Sequence, residues 1–216
     1  MLQTVNYSVE KTASTNYNLY QSKKLDAALR DTSAASHLKK SAGYTVRDLD
    51  NTYYLNYNIK KVAIFKNADL RRAISLAINR QALVNTVGSY NKTAQTMSSA
   101  SMAIGGQNFT KYVVSQTDAA DPYEFLKYMH SGQTYNFGSW NNSAYDKIVD
   151  ASNSASSDKK RLQELAKAEE ILAKEQGITP LFHLSQAWMI RPNVHGVVFT
   201  GSANDFKNAY ATSESK

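Results

Sequence analysis

Asp118 and Asp121 stand three residues apart in TDAADPYEFL and are the nearest thing in this chain to a carboxylate pair for acid–base work. Such a pair needs two unlike environments, so that one group stays ionised while the other keeps its proton. Asp121 has a simpler use. It precedes Pro122, and an aspartate before a proline starts a helix: the carboxylate accepts from a first-turn amide, and the proline fills a position whose amide has no partner. The pair therefore reads as one helix cap and one loop aspartate. The histidines His37, His130, His183 and His195 lie far apart, at no spacing that brings two to one metal ion, and are expected to be surface or packing residues. There is no Gly-x-Ser-x-Gly elbow, and Gly105-Gly106 begins no phosphate-cradling loop. The chain has no cysteine, which excludes thiol nucleophiles, disulfides and thiolate-held metal together. The expectation is a protein that is not an enzyme and carries no cofactor or metal.

With 42% hydrophobic and 20% charged residues in 216, the chain has the composition of a globular protein of one large or two small domains. Its net charge is +7 and its pI about 9.4. Basic residues are mixed with acids, except where Lys60, Lys61, Lys66, Arg71 and Arg72 follow one another with only Asp69 between. Nucleic-acid binding asks for a denser stripe interleaved with stacking aromatics, so no nucleic-acid partner is expected. An anionic membrane face or wall polymer suits the global charge, at an attraction that salt screens. No apolar run reaches the roughly eighteen residues that a spanning helix needs, so any membrane contact is expected to be peripheral. The first residues, MLQTVNYSVEK, have neither a basic n-region nor an apolar h-region of a secretion signal.

The elements that must position any site alternate between helix and strand, which gives an α/β or α+β class, α/β being the one adopted. Residues 65–87, FKNADLRRAISLAINRQALVNTV, are the most legible. Leu70, Ala73, Ile74, Ala77 and Ile78 form an apolar stripe, Arg71, Arg72 and Ser75 the opposite wet face, and Asn67 and Asn79 cap two helices in tandem. Residues 16–30 show helical spacing in their second half, through Leu25, Ala28 and Leu29. Ser33 to Lys40 reads as a short helix closed before Gly43. Tyr44 to Val46 and TYYLNYN (52–58) read as strands, the second with Tyr53, Leu55 and Tyr57 on one face and Tyr54, Asn56 and Asn58 on the other. Residues 88–110, GSYNKTAQTMSSASMAIGGQNFT, are Ser-, Thr-, Gly- and Asn-rich without periodicity and read as a flexible linker. Lys111 to Val114 is a possible strand. Helices are expected from Asp121-Pro122 to Gly132, from a Ser143 cap to about Ala151, and over 159–175 with Gly177 as the stop. Ile178 to His183, Ala187 to Ile190 and Val197 to Thr200 close the chain as strands.

Three blocks, in order, resemble the oligopeptide-binding proteins of bacterial ABC importers. They are FKNADLRRAISLAINRQALVNTV; TDAADPYEFLKYMHSG with NFGSWNNSAYDKIVDAS; and RLQELAKAEEILAKEQGITPLFHLSQAWMIRPNVHGVVF. TYYLNYN resembles the strand that precedes the first block in that family. Together they lie within residues 52–199, roughly two thirds of the chain, and their order is more specific than any one of them.

The resemblance implies a periplasmic-binding-protein-like (type II) lobe, incomplete, from the C-terminal half of a two-lobed extracytoplasmic receptor. Such a receptor closes on short peptides and passes them to ABC permease subunits. Peptide main chain is held by strand-like pairing, and the α-ammonium pairs with an aspartate at the position of Asp118. Ser115 and Gln116 precede that residue, Asn136 falls at a pocket amide and Trp140 at a pocket aromatic. The family's Gly-Trp pair is replaced here by Val114-Ser115, so one aromatic wall is missing. Nothing in these 216 residues matches the family's N-terminal lobe, lipoprotein signal or anchoring cysteine, so the chain as given is expected in the cytoplasm although the family works outside it. The implied organisation is a first part of the lobe (1–87), a linker at an internal deletion (88–110) and the remainder (111–216). One jaw alone buries little of a ligand, so peptide binding is expected to be weakened or lost. The alternatives are a basic interaction module that docks on a partner or an anionic cell-surface component, and a gene remnant without function.

Overall fold

The computed structural model describes residues 2–30, 37–98, 121–199 and 204–213. The architecture is organised on one strand, β4 (Ile178–Ile190), whose two edges are both used. β2 (Tyr44–Asn56) runs antiparallel along one edge, from Tyr44 opposite Met189 to Asn56 opposite Ile178. On the other edge lie β1 (Ala27–Arg30), opposite residues 187–190, and β3 (Lys92–Thr93), opposite His183 and Phe182. A proline inside a paired strand removes a donor, and Pro180 is accommodated by a register shift: Tyr53 faces Phe182 while Tyr54 faces Pro180. The carbonyl of the intervening Leu181 accepts from Ala94 N at 3.1 Å.

Helices cover the sheet. α1 (Ala13–Gln21) is tied to it by two arginines: Arg30 lies over the Tyr17 ring at 3.9 Å and donates to the Ala13 carbonyl, and Arg191 donates to the Tyr20 carbonyl at 2.7 Å. α2 (Ala68–Ala77) and α3 (Arg80–Val87) are the expected tandem, with Asn67 accepting from Asp69 N and Leu70 N and Asn79 from Ala82 N. α4 (Pro122–Leu126), α5 (Ser143–Ser152) and α6 (Asp158–Glu175) enclose the main core with the start of β4. Leu126, Met129, Trp140, Tyr145, Val149, Leu165, Leu172 and Ile178 meet there.

The structure corrects several expectations. The second half of residues 16–30 is a strand rather than a helix, because Ala27–Arg30 complete a ladder with β4 that the local spacing does not register. The two separate strands on each side merge into the continuous β2 and β4. Asn142, not Ser143, caps α5, since its side chain reaches the amides of Ala144 and Tyr145. Ser157 caps α6, and Gln176 rather than Gly177 takes the left-handed conformation at its end, with φ +49°. The first part of the linker is packed: Ala94 and Met97 are buried, and β3 pairs with β4. Tyr53 and Leu55 face outward, although Tyr53 stacks over the buried Phe182 at 4.7 Å. The expected strand at Lys111 to Val114 lies outside the described residues. So does the start of the expected short helix, residues 33–36, while His37 and Leu38 that follow are helical.

The largest correction concerns α2. Its buried residues are Arg71 and Ser75, while Ala73 and Ala77 are exposed and Leu76 is 78% exposed. Burying a guanidinium requires that its protons be used. Arg71 Nε donates to the Gln176 carbonyl at 2.8 Å, Nη2 to Glu175 at 2.6 Å and Nη1 to Phe65 at 2.5 Å. Two of these acceptors are free carbonyls at the C-terminus of α6, where a cation also meets the negative end of the helix dipole.

Gly43 and Gly177 are two of the glycines that close approach requires. A β-carbon on Gly43, at φ +84°, would fall 2.0 Å from the Ile190 carbonyl oxygen that β4 presents. One on Gly177 would fall 2.7 Å from Leu172 Cδ1 and 2.9 Å from Trp140 Cδ2. Gly177→Ala is therefore expected to lower stability by about 1–3 kcal/mol through overpacking. A urea midpoint equal to that of the parent protein would show that the Trp140 wall yields freely.

Candidate functional site

Asp121 behaves as its sequence context requires. Its carboxylate accepts from Tyr123 N at 3.0 Å and pairs with Arg161 at 2.5 Å, so it is occupied at both oxygens by structure-forming partners. Asp118, Ser115 and Gln116 lie outside the described residues.

Asn136 and Trp140 are both described, and both face inward. The Asn136 amide donates to the carbonyls of Trp140 at 2.6 Å, Met129 at 3.2 Å and His130 at 3.3 Å, and its oxygen accepts from Trp140 N at 3.2 Å. That set locks the turn between α4 and α5. Trp140 packs edge-on to Tyr145, with ring centroids 5.1 Å apart, and Tyr145 donates to the Leu126 carbonyl at 2.6 Å. Burial, with Glu169 and Asp146 nearby, raises the Tyr145 phenol well above its ordinary range, so it stays a neutral donor. Glu169 is itself buried, which raises its carboxyl, while the backbone amides of Ser98 and Met97 act to lower it; Ser98 N donates to it at 2.6 Å. This bond fastens the last described residues before 99 to the middle of α6.

The locked turn presents a surface feature that spacing does not reveal. Asn136 points in, so Tyr135 and Phe137 on either side point out, 55% and 67% exposed. With Tyr128 and Phe125 they form a ladder of rings, at centroid separations of 6.5, 5.0 and 6.1 Å from Phe125 to Phe137. The only signal in the sequence is the alternation Tyr-Asn-Phe, which reads as a strand pattern and not as a turn. A concavity of about 490 Å³ lies at the α2–α3 corner against β3 and is lined by Arg72, Leu76, Asn79, Thr93, Gln95 and Gln176. Arg80 beside it is held by the Pro180 carbonyl and by Ser75.

Among the described residues, the remaining titratable groups that lie close together do not form a nucleophile–base pair. Ser185, Asp48 and His183 lie close together in the sheet, but Ser185 Oγ donates to Asp48 Oδ1 at 2.9 Å rather than to the histidine. Thr52 Oγ1 donates its single proton to the Met97 carbonyl at 2.7 Å, so His183 Nδ1, 2.9 Å away, must be the donor to Thr52. No nucleophile–base bond is present in this trio. His130 stands 3.3 Å from Asp150 and 3.8 Å from Asp146; burial acts to lower it, but the Ser131 carbonyl and both carboxylates raise it overall. Among the described residues no group of three or more His, Cys, Asp or Glu is placed to hold a metal ion, and no helix is long and apolar enough to cross a membrane.

Comparison with known proteins gives consistent matches. A family model described as bacterial extracellular solute-binding proteins, family 5 middle, matches residues 2–183. The dipeptide-binding protein DppE of Bacillus subtilis (strain 168) is 30% identical over 96 residues, which cover 43% of this chain and 18% of that protein. A dipeptide-binding protein of Lactococcus lactis subsp. cremoris (strain MG1363) is 32% identical over 129 residues, 55% of this chain and 23% of that protein. Among solved structures, HbpA2 from Haemophilus parasuis superimposes with a TM-score of 0.81 at 13% identity, over 95% of this chain and 57% of the other. Listeria monocytogenes OppA bound to peptide gives 0.64 at 20% identity, over 93% and 56%. The chain thus matches about a fifth of the length of these curated relatives and spans just over half of each of these structures. At such identities the structural likeness carries the fold, that of an incomplete type II periplasmic binding protein.

Proposed function

Since the chain belongs to the bacterial extracellular solute-binding proteins of family 5, we propose that it is a peptide-holding part of a receptor that serves an ABC importer outside the cytoplasm. The family match over residues 2–183, joined to relatives described as dipeptide-binding proteins, is the observation that carries this reading. Short peptides are the ligand and permease subunits the partner. Asp118 takes the peptide α-ammonium in a charge-assisted bond that fixes its direction. Ser115 and Gln116 offer hydrogen bonds to its main chain. Asn136 and Trp140 act one layer below: they hold the turn that sets out Tyr135 and Phe137 as an aromatic wall for peptide side chains. Residues 1–87 and 111–216 are two parts of one lobe, joined through 88–110.

A lobe that meets its ligand on one side leaves the other side in water, and much of the binding free energy is then absent. Calorimetric titration with mixed tri- to pentapeptides is expected to saturate only near the millimolar range, and to weaken further in Asp118→Ala. Micromolar binding that Asp118→Ala abolishes would contradict the one-sided weakness. Heats indifferent to Asp118→Ala would remove that residue from the site.

A further inference from the structure

The basic run noted in the sequence takes a definite shape at the entry to α2. Residues 58–66, NIKKVAIFK, form a tight spur that ends in a 3-10 turn, Ala63–Lys66. Its backbone is held along its length. Lys61 N donates to Asn58 Oδ1 at 3.0 Å, Val62 N to the Asn58 carbonyl at 2.9 Å, Phe65 N to Val62 at 3.0 Å and Asn67 N to Ile64 at 3.2 Å. Phe65 turns inward against Tyr57, at 5.3 Å between centroids, and its carbonyl is gripped by the buried Arg71. The anchoring leaves two apolar side chains outside: Val62 is 39% exposed and Ile64 62% exposed. Lys60, Lys61 and Lys66 are exposed around them.

A single exposed apolar residue is ordinary. Here two of them lie in a run whose backbone is hydrogen-bonded along its length, three exposed lysines stand in the same run, and no acid occurs between Asn58 and Ala68. Asp69 is the nearest acid in sequence, and Arg72, on the exposed face of α2, donates to the Lys174 carbonyl at the end of α6 and adds positive charge on that side. The combination of exposed apolar side chains and lysines in one run is complementary to one surface in particular, the boundary between anionic headgroups and acyl chains.

We propose that residues 60–66 are a membrane-docking spur: Val62 and Ile64 enter the headgroup layer of an anionic bilayer, while Lys60, Lys61 and Lys66 pair with its phosphates. The docking is weak and reversible, since the apolar area is small and the charge is screened by salt. It is independent of the peptide reading, and either can fail without the other.

The test is co-sedimentation of the full chain with vesicles of phosphatidylcholine, with and without phosphatidylglycerol, at low and high salt. Retention is expected only on the anionic vesicles and to fall with salt. The triple variant Lys60→Gln/Lys61→Gln/Lys66→Gln is expected to lose about fivefold in affinity per lysine. Val62→Ser/Ile64→Ser is expected to weaken retention while leaving its salt dependence unchanged. A charge-matched control, Lys147→Gln/Lys159→Gln/Lys160→Gln, alters exposed lysines of α5 and α6 and should keep most of the binding. No retention on anionic vesicles overturns the proposal and leaves an acidic protein as the spur's partner. An equal loss in the control triple also overturns it, because the attraction would then be diffuse.

Discussion

Arg71→Ala is expected to destabilise the protein by about 3–5 kcal/mol, the largest effect of any single substitution considered. Three carbonyls depend on this guanidinium: Phe65, Glu175 and Gln176. Each hydrogen bond to a charged group contributes on the order of 1.5–3 kcal/mol, and bonds that share one donor group do not add in full. The truncation also leaves part-buried carbonyls without their donor, which adds to the cost of the bonds themselves. Arg71→Lys should recover only part of the loss, because an ammonium cannot place donors along the guanidinium fork. Arg72→Ala is the matched control. That side chain is exposed and donates to the Lys174 carbonyl at 2.9 Å, so its loss should fall within about 0.5 kcal/mol. Urea unfolding of the three variants decides the matter; equal midpoints for Arg71→Ala and Arg72→Ala would refute the assignment. For a domain whose total stability is about 5–15 kcal/mol, the Arg71 contribution separates a folded chain from a marginal one.

Acid should destabilise the protein by about 3 kcal/mol through His183 alone. This side chain is only 8% exposed, and burial lowers its pKa from 6.5 to about 4 against the opposing pull of Asp48; Lys92 adds to the lowering. The sign follows from proton counting. Above about pH 6.5 the ring is neutral in both states and costs nothing. Between about pH 6.5 and pH 4 the unfolded chain takes up a proton that the native state refuses, so stability falls with pH by about 1.4 kcal/mol per unit. Below about pH 4 both states are protonated and the loss stops growing. His130 and Glu169, both raised in the native state, change stability in the opposite sense, so the whole-protein curve mixes signs. The difference between the parent protein and His183→Gln isolates the one group. Glutamine can still donate to Thr52 and does not titrate. Parallel stability curves from about pH 7 to pH 4 for the two proteins would show that His183 is not the group responsible.

Some of this structure is legible in the sequence, and the rest is hidden for identifiable reasons. Asn67, Asn79 and Asp121 can be named as caps because an N-cap is a local arrangement of one side chain and the amides that follow it. The inward set Tyr145, Ile148 and Val149 is legible for the same kind of reason, as a period on one helix. The face of α2 is not, because periodicity counts apolar residues, whereas Arg71 is buried by acceptors at Glu175 and Gln176, more than a hundred residues away in sequence. β1 is hidden because Leu25, Ala28 and Leu29 have a helical spacing that a remote ladder overrides. The family resemblance does not depend on these points, since it rests on the order of three blocks rather than on any face or boundary, and the family match over residues 2–183 agrees with it. For the site, Asn136 and Trp140 look like pocket residues in the sequence, while the structure places both beneath the surface, where they hold up Tyr135 and Phe137. A residue's type and neighbours do not tell whether it faces outward or holds the turn that carries those that do.

The central position of β4 has a consequence for how the protein is made. β1 and β2 leave the ribosome well before β4, which begins only at Ile178, and, among the described residues, they pair with β4 and not with each other. Until that strand emerges, β2 carries unpaired edges and the outward side chains of Tyr53 and Leu55 without a sheet to join. Closing loops of this length is slow, and such segments are open to wrong partners while they wait. Synthesis therefore passes through a long interval in which the helical pieces can already form but the sheet cannot, and the sheet closes only once β4 has emerged.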